Sequence, residues 1–217
     1  MAAFRRHCAL EGERLLDIGC GNGAYTIALA EGFQEAHGID IESGRLEIFR
    51  DGMGNAANLF AHEMAAEELS FPAGHFDVVT AIEVLEHIVD LDKALGEVWR
   101  VLRPGGAFLI SIPNRLFPLE THYVNVAGRQ IDGRYLPFLP YLPPLHHRIA
   151  LARNFSAREL DRLLTKRGFR RSEIDYVMPP FDHSRLGRRA LKPLLDQLER
   201  TPLRIFGVSL IAVYLKV

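Results

Sequence analysis

Residues 15–26 read LLDIGCGNGAYT, with Gly19, Gly21 and Gly23 at alternate positions after an apolar run and before a helix-like segment. Glycines at a strand-to-helix turn let the backbone approach a ligand closely and leave amide groups pointing outward. Cys20 sits among them, where a small side chain is what the position tolerates. Gly19, Gly21 and Ala24 also fit the dinucleotide fingerprint, a weak match when taken alone. Asp17 lies two residues before the first glycine. A carboxylate there repels a pyrophosphate and attracts a cation, such as an amino-acid ammonium beside a sulfonium. Asp40 ends the next apolar segment, where an acidic side chain accepts hydrogen bonds from ribose hydroxyls. The ligand these residues call for is a nucleoside with positive charge and no phosphate, and S-adenosylmethionine fits.

A second constellation is Glu83, Glu86 and His87. If this stretch is helical, positions i, i+3 and i+4 share a face, and two carboxylates with an imidazole could hold a divalent cation. Without a metal, His87, His122 or His146 could serve as general base, because unperturbed histidine titrates near neutrality.

These residues need a scaffold, and hydrophobic patterning supplies one. Leu15, Leu16 and Ile18 form a short buried-strand run, and Ala24–Glu31 reads as a helix. His37–Ile41, Asn58–His62, Phe76–Ile82 and Ala107–Ile112 read as four further strands. Helices are expected from Ser43 and over Leu91–Leu102, the latter ended by Pro104-Gly105-Gly106. Ser156 and Glu159 have capping-box spacing ahead of a helix over Ala157–Arg167. Phe169–Val177 and Ile205–Lys216 read as closing strands, with a basic helical stretch (SRLGRRALKPLLDQLER) between them. Strands alternating with helices argue for an α/β fold, a Rossmann-like parallel sheet that binds ligands beyond the carboxyl ends of its strands.

The stretches LLDIGCGNG, HGIDI, EELSFPAGHFDVVTAIEVLEHI and LGEVWRVLRPGGAFLISIPN, over Leu15–Asn114, resemble a class I S-adenosylmethionine-dependent methyltransferase in order and spacing. The resemblance implies a seven-stranded, mostly parallel sheet with helices on both faces and an antiparallel last strand. It implies that Asp17, Gly19, Gly21 and Gly23 line the methionine part of the cofactor, that Asp40 holds the ribose, and that Ile41 packs on the adenine. Glu83 is implied to lie near the cofactor. Where the family commonly has an aspartate near the adenine amino group, this sequence has Ala65, so adenine recognition falls to backbone amides and to Ala66 or Glu67. Only about fourteen residues precede the first strand, where relatives often carry helices. Cover for the site must then come from elsewhere, or the sequence is truncated.

Around E-V-L-E-H the chain resembles two metal-binding branches of that family. These are ubiquinone-pathway O-methyltransferases and small-RNA 3′-end 2′-O-methyltransferases. The resemblance implies a magnesium, manganese or zinc ion on Glu83, Glu86, His87 and a downstream histidine, matched by His147 beside His146. Such an ion would lower the pKa of a substrate hydroxyl. The opposing reading is that the segment only fixes the loop before the next helix.

Residues 113–153 break the pattern. They hold half of the twelve prolines, with Phe117, Tyr123, Tyr135, Phe138 and Tyr141 among them. An aromatic, proline-stiffened insertion after the fifth strand is expected to act as a lid within one methyltransferase domain spanning residues 1–217. It suits an apolar or flat acceptor, and peripheral membrane contact is a further use. Glu120-Thr121-His122 is expected to face the pocket.

The 217 residues carry a formal net charge of -1, which argues against a general polyanion surface and against DNA. Arg185, Arg188, Arg189 and Lys192 form a local basic run, of the kind that is usually a solvated helix face. Cys8 and Cys20 make no disulfide framework. With no signal peptide and no membrane-length apolar segment, a cytoplasmic enzyme is expected. The leading expectation is O-methylation of a small acceptor. RNA 2′-O-methylation, a non-catalytic methyltransferase-like module and a nicotinamide dehydrogenase are the competing readings.

Overall fold

The computed structural model describes residues 4, 6, 10–179 and 197–217. Cys8 and the basic run at Arg185–Lys192 lie outside the described residues. Seven strands form one sheet in the order β3-β2-β1-β4-β5-β9-β8. They are β1 (Gly12–Ile18), β2 (Phe33–Asp40), β3 (Leu59–Glu63), β4 (Phe76–Ile82), β5 (Leu102–Pro113), β8 (Phe169–Val177) and β9 (Ser209–Lys216). The pairs β1/β2, β1/β4, β2/β3 and β4/β5 are parallel, and the last strand is antiparallel. Helices α1 (Ala24–Ala30), α2 (Ser43–Met53), α3 (Leu91–Val101), α4 (Pro143–Ile149) and α5 (Ala157–Thr165) accompany the strands.

The central strands are near-continuous apolar runs because both faces of a parallel sheet are covered. Leu15, Leu16, Val79, Phe108 and Ile110 are completely buried. Helix α3 buries Ala94, Leu95, Val98 and Val101, one stripe at helical spacing, and Asp90 caps it by accepting the Lys93 N–H at 3.0 Å. Its end differs from expectation. Pro104-Gly105-Gly106 does not separate helix from strand but lies inside β5, which begins at Leu102. Phe76 pairs with Leu102 and Val78 already with Ala107, so the Pro-Gly-Gly stretch is bulged out of the ladder.

The chain groups into two compact units. The first comprises residues 1–111, 161–173 and 212–217, and the second comprises 112–160 and 174–211. Within the second unit the proline-rich segment is more ordered than its composition suggests. It contains a hairpin of β6 (Tyr123–Val126) and β7 (Arg129–Asp132) that sequence reasoning missed. The hairpin turns at Ala127 (φ 51°) and Gly128 (φ 81°), the two positive φ angles of a type I′ turn. The segment also holds short 3-10 turns at Gly133–Tyr135 and Leu139–Tyr141, and helix α4.

Candidate functional site

A cavity of about 410 Å³ opens at the carboxyl ends of β1, β2, β3 and β4 and lies wholly in the first unit. Its floor is Ile18 and Gly19 from the end of β1, with Ile39 and Asp40 from the end of β2. Ile41, Met64, Ala66 and Glu67 form one side. Glu83, Val84, His87, Ile88 and Val89, following β4, form the other.

The alternating glycines have a local cause. Gly19, Gly21 and Gly23 all sit in the left-handed region, at φ 65°, 54° and 77°. At Gly19 a Cβ would come within 2.3 Å of the Val84 side chain, and at Gly23 within 1.9 Å of the Phe49 ring. Gly19 therefore keeps the cavity floor low, and Gly23 lets the first turn of α1 pack on the buried ring of Phe49.

Asp40 anchors this loop. Its Oδ2 accepts the Gly21 N–H at 2.8 Å, and its Oδ1 accepts the Glu42 N–H at 2.9 Å. Each carboxylate oxygen has room for a further donor. The carboxylate is thus held in place by two backbone amides, on a residue that lines the cavity. Ile41 beside it is 72% exposed and lines the cavity.

Asp17 is placed differently from the surface position its role suggests. It is 2% exposed and is not among the residues that line the cavity. Thr26 donates to its Oδ2 at 2.6 Å and Thr80 to its Oδ1 at 2.7 Å. Burial pushes its carboxyl up to about 6, against the opposing pull of the two threonine hydroxyls, and the Asp40 charge adds to the rise. Thr26 and Thr80 escaped sequence reasoning. Thr80 stands opposite Asp17 in the β1/β4 register, which no sequence spacing reveals. Cys20, Gly21 and Gly23 belong to the loop but not to the cavity wall. The Cys20 thiol is buried and pushed well above the usual thiol range by that burial and by the Asp17 and Asp40 charges.

The segment Glu83–His87 is not helical. It is a bend followed by a turn, with His87 N–H donating to Val84 C=O at 3.0 Å, and α3 begins only at Leu91. The shared face expected for Glu83, Glu86 and His87 therefore does not form. Glu83 and His87 are exposed and line the cavity, whereas Glu86 is 2% exposed and is not among the lining residues. Glu83 has φ 53°, a strained conformation for a residue with a side chain. Ser111 holds it there twice: its C=O accepts the Glu83 N–H at 2.8 Å, and its Oγ donates to Glu83 Oε1 at 2.5 Å.

The other candidate histidines, His122, His146 and His147, lie in the second unit. His146, 1% exposed on α4, puts its Nε2 at 2.6 Å from Glu120 Oε2 and 3.1 Å from Asn154 Nδ2. His122 donates its backbone N–H to Glu120 Oε1 at 2.9 Å and holds its Nδ1 at 3.5 Å from the same oxygen. Burial would raise the Glu120 carboxyl, but bonds from His122 and His146 outweigh it and hold it down at about 2. The two histidines singled out separately in the sequence thus share one buried carboxylate. His147 is exposed on α4 and belongs to no cluster of potential metal ligands among the described residues.

The comparisons with known proteins agree with this architecture. The family described as a methyltransferase domain matches residues 2–173. A ubiquinone biosynthesis O-methyltransferase of Aromatoleum aromaticum is 36% identical over 138 residues, covering 61% of this chain and 56% of that protein. A ubiquinone/menaquinone biosynthesis C-methyltransferase of Vibrio campbellii is 38% identical over 108 residues, 47% of this chain and 42% of that one. The chain thus spans about half the length of these relatives. The solved S-adenosylmethionine-dependent methyltransferase of Mesorhizobium loti superposes with a TM-score of 0.70 at 20% identity, covering 99% of this chain and 96% of that one, which shows the fold. With its strand order, its glycine loop and its cavity at the strand ends, the chain belongs to the methyltransferase domain family, in the class I S-adenosylmethionine-dependent group.

Proposed function

We propose that the protein transfers the methyl group of S-adenosylmethionine to an oxygen of a small, apolar or aromatic acceptor. The observation that carries the cofactor half is Asp40, clamped by two backbone amides and lining a cavity at the strand ends. The cavity size suits a nucleoside-sized ligand. Bound there, the cofactor supplies an electrophilic methyl on a sulfonium. The chain's own task is to align acceptor oxygen, methyl carbon and sulfur, and to exclude water.

His87 is the proposed base, because its ring lines the cavity beside the strained Glu83. It would take the acceptor's hydroxyl proton as the oxygen attacks the methyl carbon and the carbon–sulfur bond breaks. His146 and His122 are less suited, since neither lines the cavity. A divalent ion on Glu83, Glu86, His87 and His147 is the other route to an activated hydroxyl. The turn at 83–87 does not put those donors on one face, so no step is drawn through an ion.

Relatives named for ubiquinone biosynthesis support a quinone-like acceptor, and the O-methyltransferase name favours oxygen over carbon. The aromatic segment 113–153 would serve as the acceptor's cover. It exposes Tyr135, Phe138 and Leu142, which also suit contact with a membrane surface. Among the described residues no helix is long and apolar enough to cross a membrane, and a cytoplasmic setting goes with this reading.

The test begins with calorimetric titration of metal-stripped protein with S-adenosylhomocysteine. The wild type should bind, and Asp40→Ala should bind ten- to a hundredfold more weakly, the cost of losing hydrogen bonds to a charged acceptor. Transfer to a hydroxylated prenyl-benzene should then fall roughly 10²–10⁴-fold in His87→Ala. Absence of S-adenosylhomocysteine binding by the wild type would favour a non-catalytic module. A product methylated on carbon would move the enzyme to the company of the C-methyltransferase relative.

A further inference from the structure

On one face of β2 and β3 the fold gathers imidazoles and a carboxylate that the methyl-transfer reading does not use. Glu35 and His37 alternate on β2 and so point the same way. His62 on β3 follows on that face, opposite Ile39 in register, and His75 enters from the turn before β4. None of these residues lines the cavity.

We propose that Glu35, His37 and His75 form a binding site for a divalent transition-metal ion with zinc-like preferences. One donor atom from each lies within 4.8 Å of the others. His37 is 9% exposed, and its Nε2 is buried with no hydrogen-bond partner. An orphaned ring nitrogen is costly in a folded interior, and a metal ion is the partner that an imidazole lone pair fits. Glu35 Oε2 stands 3.7 Å from that nitrogen. Donors around a tetrahedral ion stand about 3.3 Å apart, so closure asks for rotations of Glu35 and His75. Both are only partly buried, and Glu35 would turn against the bond it accepts from Arg14. Their exposure also leaves a fourth position to water.

The surroundings have the form of a metal site's outer shell. His37 Nδ1 lies 3.1 Å from His62 Nε2, a contact that fixes the ring and leaves Nε2 as the ligating atom. Phe60 stacks on His37 at 4.8 Å between ring centroids, while Phe71 and Phe76 meet its edge at 5.4 and 5.6 Å. These rings exclude water and strengthen a charge–ligand attraction. One neighbour opposes it: Arg14 donates from Nε to Glu35 Oε2 at 2.9 Å. The ion would take the other carboxylate oxygen, and the guanidinium charge would weaken its hold. Two imidazoles, one carboxylate and water select zinc, cobalt or nickel over magnesium and calcium, which prefer oxygen.

The test uses the full chain, stripped with chelator and titrated with zinc by calorimetry and with cobalt by visible absorption. The wild type should take up one equivalent and give the intense bands of four-coordinate cobalt. His75→Gln and Glu35→Gln, both at partly exposed positions, should keep the wild-type circular dichroism and lose at least tenfold in zinc affinity. His87→Gln should bind as the wild type does, which separates this site from the cavity. Failure of the wild type to bind either ion would overturn the proposal. So would wild-type affinity in His75→Gln, or loss of binding in His87→Gln.

Discussion

The most consequential single residue is Asp17, because its burial sets stability against ligand attraction. Burial pushes its carboxyl up from the ordinary 3.8 to about 6 in the folded chain. The folded state therefore holds the proton more tightly, and stability falls as pH rises from about 4 to about 6. At pH 7 the ionised form costs roughly 3 kcal/mol, taking 1.36 kcal/mol for each tenfold change in proton affinity. Asp17→Asn should recover part of that cost. The variant should melt higher than the wild type at pH 7, and the gain should vanish below pH 4. The same change should weaken S-adenosylmethionine binding, since the negative charge behind the glycine loop is lost. A variant no more stable than the wild type at pH 7 would mean that Asp17 stays solvated. The sequence singled out Asp17 by its distance from the first glycine and Asp40 by its place at the end of the next strand, and of the two only Asp40 lines the cavity. The sequence could not reveal Thr26, Thr80 and Ser111, whose positions depend on register and on folding of a loop against a strand.

Elements were legible where one physical signal dominated. The β-branched run Phe76–Ile82 and the span Phe169–Val177 are strands with the expected ends. The capping box is present in full: Ser156 Oγ accepts the Glu159 N–H at 3.3 Å, and Glu159 Oε2 accepts the Ser156 N–H at 2.9 Å. Ser156→Ala should cost about 1 kcal/mol in thermal unfolding. Burial would raise the Glu159 carboxyl, but its bonds to Ser156 and Arg115 hold it below the usual range. The stability it contributes is present above the ordinary glutamate pKa and lost as pH falls, so the Ser156→Ala penalty should shrink in acid. Elements were misread where two signals competed. Glu83–His87 has helical spacing, but Glu83 takes a left-handed conformation that breaks the helix. Pro104-Gly105-Gly106 is a helix-stop signal, yet here the strand starts before it and bulges around it. In the glycine loop, Gly23→Ala should lower stability by about 2–4 kcal/mol, combining left-handed strain with collision on Phe49. Gly128→Ala is the control, since Gly128 has φ 81° in its hairpin turn and no atom within 4 Å of the added carbon. It should lose only the strain, about 1–2 kcal/mol. Equal losses in the two variants would show that Phe49 moves aside freely.

At the scale of the whole chain, the cavity and the division into units make a joint prediction. Every residue lining the cavity belongs to the first unit, so a cofactor stabilises that unit directly. Two strands, however, belong to both units by sequence. The first unit takes β5 up to Ser111 and β9 from Ala212, and the second takes Ile112, Pro113 and Ser209–Ile211. Unfolding either unit unravels a strand that the other needs, so the chain should melt in a single transition. A ligand that binds only the folded state at a hundred times its Kd adds about 2.7 kcal/mol. For a chain of this length each kcal/mol moves the midpoint by roughly 2–4 °C, giving a shift of about 5–11 °C with S-adenosylhomocysteine. Scanning calorimetry should show that one transition moving as a whole. Two transitions of which only one shifts would mean that the strands do not transmit cooperativity, and that residues 112–160 fold and open on their own. On the proposed reading of that segment as the acceptor's cover, its stability would then be independent of the cofactor. In the coupled case, and on the proposed reading of residues 113–153 as the acceptor's cover, S-adenosylhomocysteine and an acceptor analogue should bind with positive cooperativity.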